Sequence, residues 1–201
     1  MIDEHKDSLG EAGLEYATRI LRSAERLDKL VHDLLTYSRM SRGELNFEAV
    51  SLNKVVQDFQ NTHAHEIQRS GAIITVGDLH SVFAYEPTLN LIVTNLFLNG
   101  IKFVAPGETP RLKIWAEQRD RRVRLWVEDN GIGIPPEGLK KIFGVFERLH
   151  PMNKYPGTGI GLAIVQKGVE RMAGNVGVES EPGKGSRFWI ELPGAHASVR
   201  P

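Results

Sequence analysis

The sequence contains no cysteine, which excludes disulfide bonds, thiolate metal sites and a cysteine nucleophile. It also lacks an excess of either charge. The 25 basic and 25 acidic residues give a formal net charge of +0, so no global field draws the protein to nucleic acid or to an anionic membrane. No apolar run approaches the roughly 20 residues of a membrane span. These absences predict a soluble chain with no nucleic-acid partner and no direct membrane contact.

The first part of the chain, residues 11–40, has the pattern of one long helix. Its apolar positions alternate steps of four and three, at Ile20, Ala24, Leu27, Val31, Leu34 and Ser38. This is an a/d seam, and other leucines widen it to the stripe of a helical bundle. One helix cannot bury such a face alone, so the seam either joins a second chain or docks on the following domain. We favour the dimer.

The rest of the chain alternates strand and helix patterns. We predict a linker at 41–47, helices at 51–69, from about 86, and at 159–172, and strands at 72–76, 111–118, 121–129, 175–181 and 185–193. A glycine-rich region covers 130–158. Mixed strands with three helices on one face predict a two-layer α/β sandwich, preceded by the long helix. The predicted units are 1–45, 46–194 and a disordered tail at 195–201.

The helix from about residue 86 carries an unusual polar stripe. Asn95, Asn99, Lys102 and Phe103 are spaced i, i+4, i+7 and i+8, which puts them on one helical face. An amide oxygen suits Mg²⁺ that phosphates and water already satisfy, and a lysine supplies a point charge for a phosphate. The alternative is that backbone groups of a neighbouring loop satisfy both amides.

Two glycine-rich stretches add to this stripe. "DNGIGI" (129–134) puts a carboxylate at a strand end beside a backbone that a ligand can approach, although a tight turn explains it equally well. "GTGIGLAI" (157–164) runs three alternating glycines into a helix, as an anion cradle would. Its spacing is not that of a dinucleotide fingerprint, and "PGKGS" (182–186) is a hairpin turn rather than a P-loop.

In this order, "NLFLNGIKF", "DNGIGI" and "GTGIGLAI" resemble the nucleotide-binding motifs of the ATPase domain that sensor histidine kinases share with DNA gyrase and heat-shock chaperones. "IFGVFERLHPMNKYPGTGIGLAI" (142–164) resembles the histidine-kinase lid, with paired Phe143 and Phe146. "LDKLVHDLLTYSRM" resembles the second helix of the kinase dimerisation hairpin, and "VESEPGKGSRFWIELP" the closing hairpin. The resemblance covers Leu14 to Pro193, is closest to phytochrome-type kinases, and implies a Bergerat-type ATP-binding fold.

The resemblance implies a role for each motif residue. Asp129 would accept a hydrogen bond from the adenine amino group, Ser186 would assist through water, and Phe103 would pack near the adenine. Asn99 would ligate Mg²⁺ with Asn95 beside it, and Lys102 and Arg148 would address the phosphates. The remaining residues, which we expect to bind the nucleotide or form its lid, are Gly131, Gly133, Gly157, Thr158, Gly159, Gly161 and Leu162.

The sequence departs from the family at two places. Leu91 stands where many relatives carry Glu or Gln, one turn before Asn95, which removes a candidate base or polar positioner. The family's acceptor motif, His-Glu/Asp-x-x-x-Pro, is absent, because His5, His32 and His65 lack its pattern. We therefore expect the acceptor to precede Met1, in a longer or a degenerate kinase.

The resemblance predicts a cytoplasmic protein-histidine kinase fragment that uses ATP and Mg²⁺, forms a homodimer through its first helix and serves a response-regulator receiver domain. It should bind nucleotide without autophosphorylating. Three alternatives stay open at this point: a non-catalytic, nucleotide-gated dimerisation module, a gyrase- or chaperone-like ATPase, and a serine-directed kinase of the same fold. The "LLTYSR" helix favours the histidine class over the last of these.

Overall fold

A computed structural model gives the fold and describes residues 6–40, 45–151 and 154–195. Its elements follow one another in an order that begins with a long helix and ends with a hairpin. They are α1 (Lys6–Arg39), β1 (Glu48–Ser51), α2 (Leu52–Thr62), α3 (Ala64–Ser70), β2 (Ile73–Val76), β3 (Ser81–Ala84), α4 (Glu86–Lys102), β4 (Arg111–Arg119), β5 (Arg122–Asp129), α5 (Pro136–Leu139), α6 (Gly161–Arg171), β6 (Asn175–Ser180) and β7 (Ser186–Pro193).

A five-stranded mixed sheet forms one layer, in the order β2-β4-β5-β7-β6. Only β2 and β4 run parallel, and the other neighbours are antiparallel. In the register of β5 and β7, Asp129 pairs with Ser186, so the end of "VRLWVED" lies beside the start of the closing strand. A separate two-stranded antiparallel sheet joins β1 and β3.

The second layer consists of α2, α4 and α6, which cover one face of the large sheet. Side chains alternate along β4, β5 and β7, and the inward ones bury Leu112, Ile114, Leu125 and Ile190. On α4, Leu89, Ile92, Leu96 and Phe97 are fully buried against them. The predicted two-layer sandwich with a mixed sheet and a preceding helix is therefore confirmed.

Several predicted boundaries were wrong. The single helix over 51–69 is two helices, because the backbone leaves helical geometry at His63, where φ is −105° and ψ is 18°. Ser51 takes the N-cap position of α2 without a side-chain capping bond. The four-residue elements β1, β3 and α5 were not predicted, and α6 begins at Gly161 rather than 159.

The predicted linker and tail fall partly outside the described residues, at 41–44 and 196–201. Ala195, predicted as the first residue of the tail, donates a backbone hydrogen bond to Ser81 at 3.1 Å. The proposed division at residues 45 and 194 stays a prediction. Among the described helices, none combines the length and the apolarity that a membrane crossing needs.

The long helix α1 shows two different faces. The predicted seam residues are exposed, with Ile20 at 69%, Leu27 at 58% and Val31 at 52% of full accessibility. On the other side, the Met40 carbonyl that follows α1 accepts a hydrogen bond from Arg171 of α6. The helix therefore docks on the following domain with its C-terminal end and leaves the seam open.

Candidate functional site

A cavity of about 550 Å³ lies between the end of α4, the ends of β5 and β7, and the segment from Glu147 to Leu162. Thirteen of the fourteen residues that the sequence predicts for the site line this cavity. They are Asn95, Asn99, Lys102, Phe103, Asp129, Gly133, Arg148, Gly157, Thr158, Gly159, Gly161, Leu162 and Ser186. The exception, Gly131, lies behind Asp129 and supports its carboxylate.

The Asp129 carboxylate is the buried acid of the cavity, with 9% of the residue exposed. Its Oδ1 accepts the backbone N–H groups of Gly131 at 2.8 Å and Ser186 at 3.1 Å. Burial raises the pKa of Asp129 to about 6, and the two backbone N–H groups counteract part of that rise. Among the described residues, none donates a hydrogen bond to Oδ2, which leaves this oxygen for a donor in the cavity.

Glycine is required where the "DNGIGI" loop passes its neighbours. Gly133 has φ of 71°, and a Cβ there would collide with the carbonyl oxygen of Glu181. At Gly131, a Cβ would lie 2.5 Å from the carbonyl oxygen of Phe103 and 2.7 Å from Asp129 Oδ1. The two glycines therefore allow this loop to press against α4 and the closing hairpin while it holds the carboxylate.

A hydroxyl network fixes the other side of Asp129. The Ser180 and Ser186 hydroxyl oxygens are 2.9 Å apart, and Ser180 also donates to the Gly185 carbonyl and accepts from the Ile134 N–H. Ser186 is 7% exposed and lines the cavity. This network orders the end of β7 beside the acid.

The two asparagines of α4 differ in what they contact. Asn95 donates its amide N–H to the Leu91 carbonyl at 2.8 Å, within its own helix. Its Oδ1 faces Gly161, where an added Cβ would lie only 2.6 Å away. Asn99, half-buried in the cavity wall, makes no side-chain hydrogen bond to any described residue. One backbone carbonyl thus engages the N–H of the first amide, whereas the second amide has no hydrogen-bond partner among the described residues and is available to a ligand.

Lys102, the last residue of α4, and Phe103, its C-cap, continue the polar stripe at the end of the helix. The Lys102 ammonium lies 4.0 Å from the centroid of the Phe103 ring, and Tyr155 packs on the same ring at 5.2 Å. Burial, together with the smaller effects of the Arg148 and Lys29 charges, lowers the pKa of Lys102 to about 8. Three cations thus act on one region of the cavity, where an anion would relieve their repulsion.

Arg148 and Tyr155 hold the segment 142–164, which resembles the histidine-kinase lid and is called the lid below. Arg148 donates to the backbone carbonyls of Gly157 and of Tyr155, the latter at 2.8 Å. The Tyr155 hydroxyl donates to the Val104 carbonyl at 2.9 Å, just past α4. The predicted contact of Arg148 with phosphate stays a prediction, since its guanidinium supports the lid backbone in this conformation.

The two lid phenylalanines have different surroundings. Phe143 packs on the hydrophobic core, whereas Phe146 is 53% exposed and has φ of 66°. The backbone N–H of Phe146 donates to the Gly159 carbonyl at 3.0 Å. Phe146 therefore ties the two sides of the lid through its backbone rather than through its ring.

Sequence reasoning missed the contribution of α1 to the cavity. Lys29 and Asp33 line it, and Thr158 Oγ1 donates to Asp33 Oδ2 at 2.6 Å. The α3 residues Glu66, Arg69 and Ser70 also border it. No local pattern marks these residues, because each reaches the site only through the tertiary fold.

The comparisons with known proteins agree with this geometry. The family described as "Histidine kinase-, DNA gyrase B-, and HSP90-like ATPase" matches residues 84–196, which is 113 of 201 residues. The phytochrome-like protein Cph1 of Synechocystis sp. is 34% identical over 189 residues, covering 94% of this chain and 25% of that protein. The circadian input-output histidine kinase CikA of Synechococcus elongatus is 35% identical over 195 residues, covering 92% and 26%.

Solved structures give the same result. Full-length ShkA in complex with AMPPNP matches with a TM-score of 0.75 and 30% identity, over 94% of this chain and 40% of that one. Histidine kinase ThkA in complex with the response regulator TrrA matches with a TM-score of 0.69 and 25% identity, over 92% and 52%. This chain spans about a quarter of the length of the curated relatives named above.

The three motifs predicted from the sequence converge on one cavity, and the similar proteins named above include the histidine kinases CikA and ThkA. The resemblance inferred from the sequence is thereby confirmed. The chain belongs to the histidine kinase-, DNA gyrase B- and HSP90-like ATPase family, as a homologue of the histidine kinases within it.

Proposed function

We propose that this chain binds Mg·ATP in the α4 cavity and transfers the γ-phosphoryl group to a histidine of a sensor kinase in two-component signalling. The observation that carries the proposal is the wall of that one cavity. It combines a buried carboxylate, an unpartnered amide and a cluster of cations beneath a glycine lid. The carboxylate would bind the nucleobase, the amide would bind the metal ion on the polyphosphate, and the cations would bind the charged phosphates.

Asp129 would bind the nucleobase of the nucleotide. A buried carboxylate whose Oδ1 is fixed by two backbone N–H groups has an Oδ2 oriented for one further donor. The exocyclic amino group of adenine is such a donor, and guanine presents a carbonyl oxygen at the corresponding position. Leaving a buried carboxylate unpaired costs free energy, so this contact selects adenine.

Asn99 fits a Mg²⁺ ion that phosphates mainly hold. Among the described residues there is no cluster of three or more His, Asp or Glu side chains that could hold a metal ion without the nucleotide. A single neutral amide oxygen beside phosphate oxygens and water is a suitable ligand set for this metal. Bound Mg²⁺ would supply charge neutralisation on the phosphates during transfer.

The transfer itself needs positioning more than covalent help from the protein. The bond between the γ-phosphorus and the ADP oxygen breaks, and ADP leaves with the electron pair. The unprotonated nitrogen of the imidazole forms the new bond, and the other ring nitrogen then releases its proton to solvent. Imidazole with a pKa near 6.5 is already mostly neutral at pH 7. A chain with Leu91 in place of a Glu or Gln can therefore still position the reaction.

The same proposal includes two protein partners. The exposed apolar seam of α1 would join a second copy of the chain, because Ile20, Leu27 and Val31 have no cover in a single chain. A response-regulator receiver domain would take the phosphoryl group onward. The structure of ThkA in complex with TrrA supports that step by homology.

The binding half of the proposal is tested by calorimetry with AMPPNP and Mg²⁺. We expect Asn99→Ala to weaken the magnesium-dependent part of AMPPNP affinity by about tenfold, as loss of one charge-assisted contact would. Asn90→Ala is the matched control, since Asn90 is on the same helix but outside the cavity. Equal losses in the two variants would contradict the role of Asn99.

The transfer half is tested with γ-labelled ATP and a separate helical hairpin that carries the acceptor histidine. We expect label on the hairpin that is stable in alkali and lost in acid, as a phosphorus–nitrogen bond is. Replacing the acceptor histidine with glutamine should abolish it. AMPPNP binding without transfer would contradict the kinase assignment.

A non-catalytic, nucleotide-gated dimerisation module is the second candidate. It is favoured by Leu91, which cannot act as a base, and by Asn95, whose amide is engaged with the Leu91 carbonyl. Both candidates bind nucleotide, so the transfer assay separates them. Steady hydrolysis of ATP without any acceptor would instead indicate a gyrase- or chaperone-like ATPase.

A further inference from the structure

Helix α1 forms a wall of the cavity as well as carrying the exposed seam. Lys29 and Asp33 are four residues apart, so they lie on the same side of the helix, and both line the cavity. Their neighbours in space are Lys102 of α4 and Thr158 of the lid. A helix that precedes the ATP-binding unit therefore supplies two charged groups to the site.

Two attachments fix this placement. Near the site, Thr158 Oγ1 donates to Asp33 Oδ2 at 2.6 Å. At the end of α1, the Met40 carbonyl accepts a hydrogen bond from Arg171, and the Met40 methyl group packs so closely on Gly168 that an added Cβ would lie 2.7 Å away. The orientation of α1 is thus set at two points, and Lys29 lies one helical turn before the first.

The three cations at this point, Lys29, Lys102 and Arg148, form no ion pair with any acid in the described part of the chain. Lys29 makes no ion pair within the described part of the chain, and Asp33 is occupied by Thr158. Lys29 and Arg148 both act on the Lys102 ammonium. Of the other acids that line the cavity, Glu147 is exposed, Glu66 lies on α3 and Asp129 is buried. Three cations gathered at a lid repel one another unless a polyanion lies between them.

We propose that Lys29 is a phosphate-binding residue that α1 contributes to the nucleotide site, and that Asp33 positions it by bonding Thr158 of the lid. This inference rests on the proposed nucleotide-binding function. It adds that the chain distinguishes triphosphate from diphosphate partly through α1. The bound nucleotide would then join α1 to the lid through its phosphates.

The test is calorimetry of Lys29→Gln with AMPPNP, ADP and adenosine. We expect AMPPNP affinity to fall about tenfold, ADP affinity to fall less and adenosine affinity to stay unchanged, because only the phosphates meet the lysine. Lys29→Arg should keep most of the affinity. Raising the salt concentration should shrink the effect, since Lys29 is exposed to solvent.

Arg22→Gln is the matched control, because it removes the same charge from the same helix two turns away and outside the cavity. An unchanged AMPPNP affinity in Lys29→Gln, with a loss in Lys102→Gln, would overturn the role of Lys29 and leave the nucleotide site intact. Equal losses for all three ligands would also overturn it. Failure of the wild-type chain to bind AMPPNP would overturn both proposals.

The positioning role of Asp33 has its own measurement. If Asp33 places Lys29, then Lys29→Gln should change the ratio of AMPPNP to ADP affinity much less in an Asp33→Ala background than in the wild type. Thr158→Ser keeps the hydroxyl and should preserve the full effect. Additive effects of the two substitutions would show that Asp33 only stabilises the fold.

Discussion

At the scale of single residues, the ionised Asp129 carboxylate lowers the stability of the folded protein at neutral pH and offers a hydrogen-bond acceptor to a ligand in the cavity. Its carboxyl is buried and its pKa is raised to about 6, so the folded state holds the proton more tightly than the unfolded chain does. The stability from this group is complete below about pH 4 and is lost as the pH rises through about 6. At neutral pH the protein therefore carries an ionised group in a place that resists ionisation.

We expect Asp129→Asn to raise the free energy of unfolding at pH 7.5 by roughly 2 kcal/mol, because the amide oxygen still accepts the two backbone N–H groups without a buried charge. The gain should shrink between pH 6 and pH 4. Denaturant unfolding across this range measures it. AMPPNP affinity should fall by at least tenfold in the same variant, and a variant that loses stability at pH 7.5 would contradict the argument.

Lys102 gives the site a second pH dependence. Its pKa is about 8 in the free protein, and phosphates in the cavity would raise it, so binding above pH 8 must take up a proton. We expect AMPPNP affinity to fall roughly tenfold between pH 7 and pH 9. Calorimetry in buffers of different ionisation enthalpy would detect the proton directly. Lys102→Arg should remove the dependence, and adenosine affinity should not change over this range.

At the scale of elements, the long periodic segments were predictable and the short ones were not. The α4 helix begins at Glu86 as predicted, and the β4–β5 and β6–β7 hairpins match their alternating patterns, because each buries one face against a large partner. The strands β1 and β3 have only four residues each, so they leave too few alternating positions to detect. The helix break at His63 could not be predicted, because no proline or glycine is near it in the sequence.

The same distinction applies to the site. The α4 stripe and the glycine loops could be predicted, since helical spacing and glycine content are local properties. The contact between Asp33 and Thr158 joins residues 125 positions apart and could not be predicted. The bond from Asn95 to Leu91 was also missed, although a back-bond to the carbonyl four residues earlier is a common fate of a polar side chain within a helix.

The start of α6 is tightly coupled to α4, which yields a third prediction. A Cβ at Gly161 would lie 2.6 Å from Asn95 Oδ1. Gly161→Ala should therefore lower the free energy of unfolding by about 1 to 2 kcal/mol and weaken AMPPNP binding. In an Asn95→Ala background the same substitution should cost nothing or should stabilise the chain, because alanine is the better helix former. Additive losses of stability would contradict the contact.

At the scale of the whole molecule, α1 connects the exposed seam to the cavity. One face of α1 docks on α6 and on the lid through Met40 and Asp33, and the other exposes the seam of Ile20, Leu27 and Val31. A change in how two copies pair along that seam would rotate or shift α1. Because Lys29 and Asp33 are on the same rigid helix, such a shift would reach the lid without any intermediate element.

This arrangement predicts that dimerisation and nucleotide binding can be separated by substitution. If the wild type is the proposed dimer, we expect a monomer by light scattering for Ile20→Glu together with Leu27→Glu, which puts two charges into the seam and leaves the cavity wall intact. Arg22→Glu, which lies off the seam, should remain a dimer.

The AMPPNP affinity of the monomeric double variant shows whether α1 is held on the lid by its own chain or by dimerisation. If α1 is held on the lid by its own chain, AMPPNP affinity in the double variant should stay within about twofold of wild type, since the bonds at Met40 and Asp33 are within one chain. A loss of tenfold or more, equal to that of Lys29→Gln, would mean that dimerisation is what holds α1 in place. The geometry favours the first outcome, because both attachments are complete in a single copy.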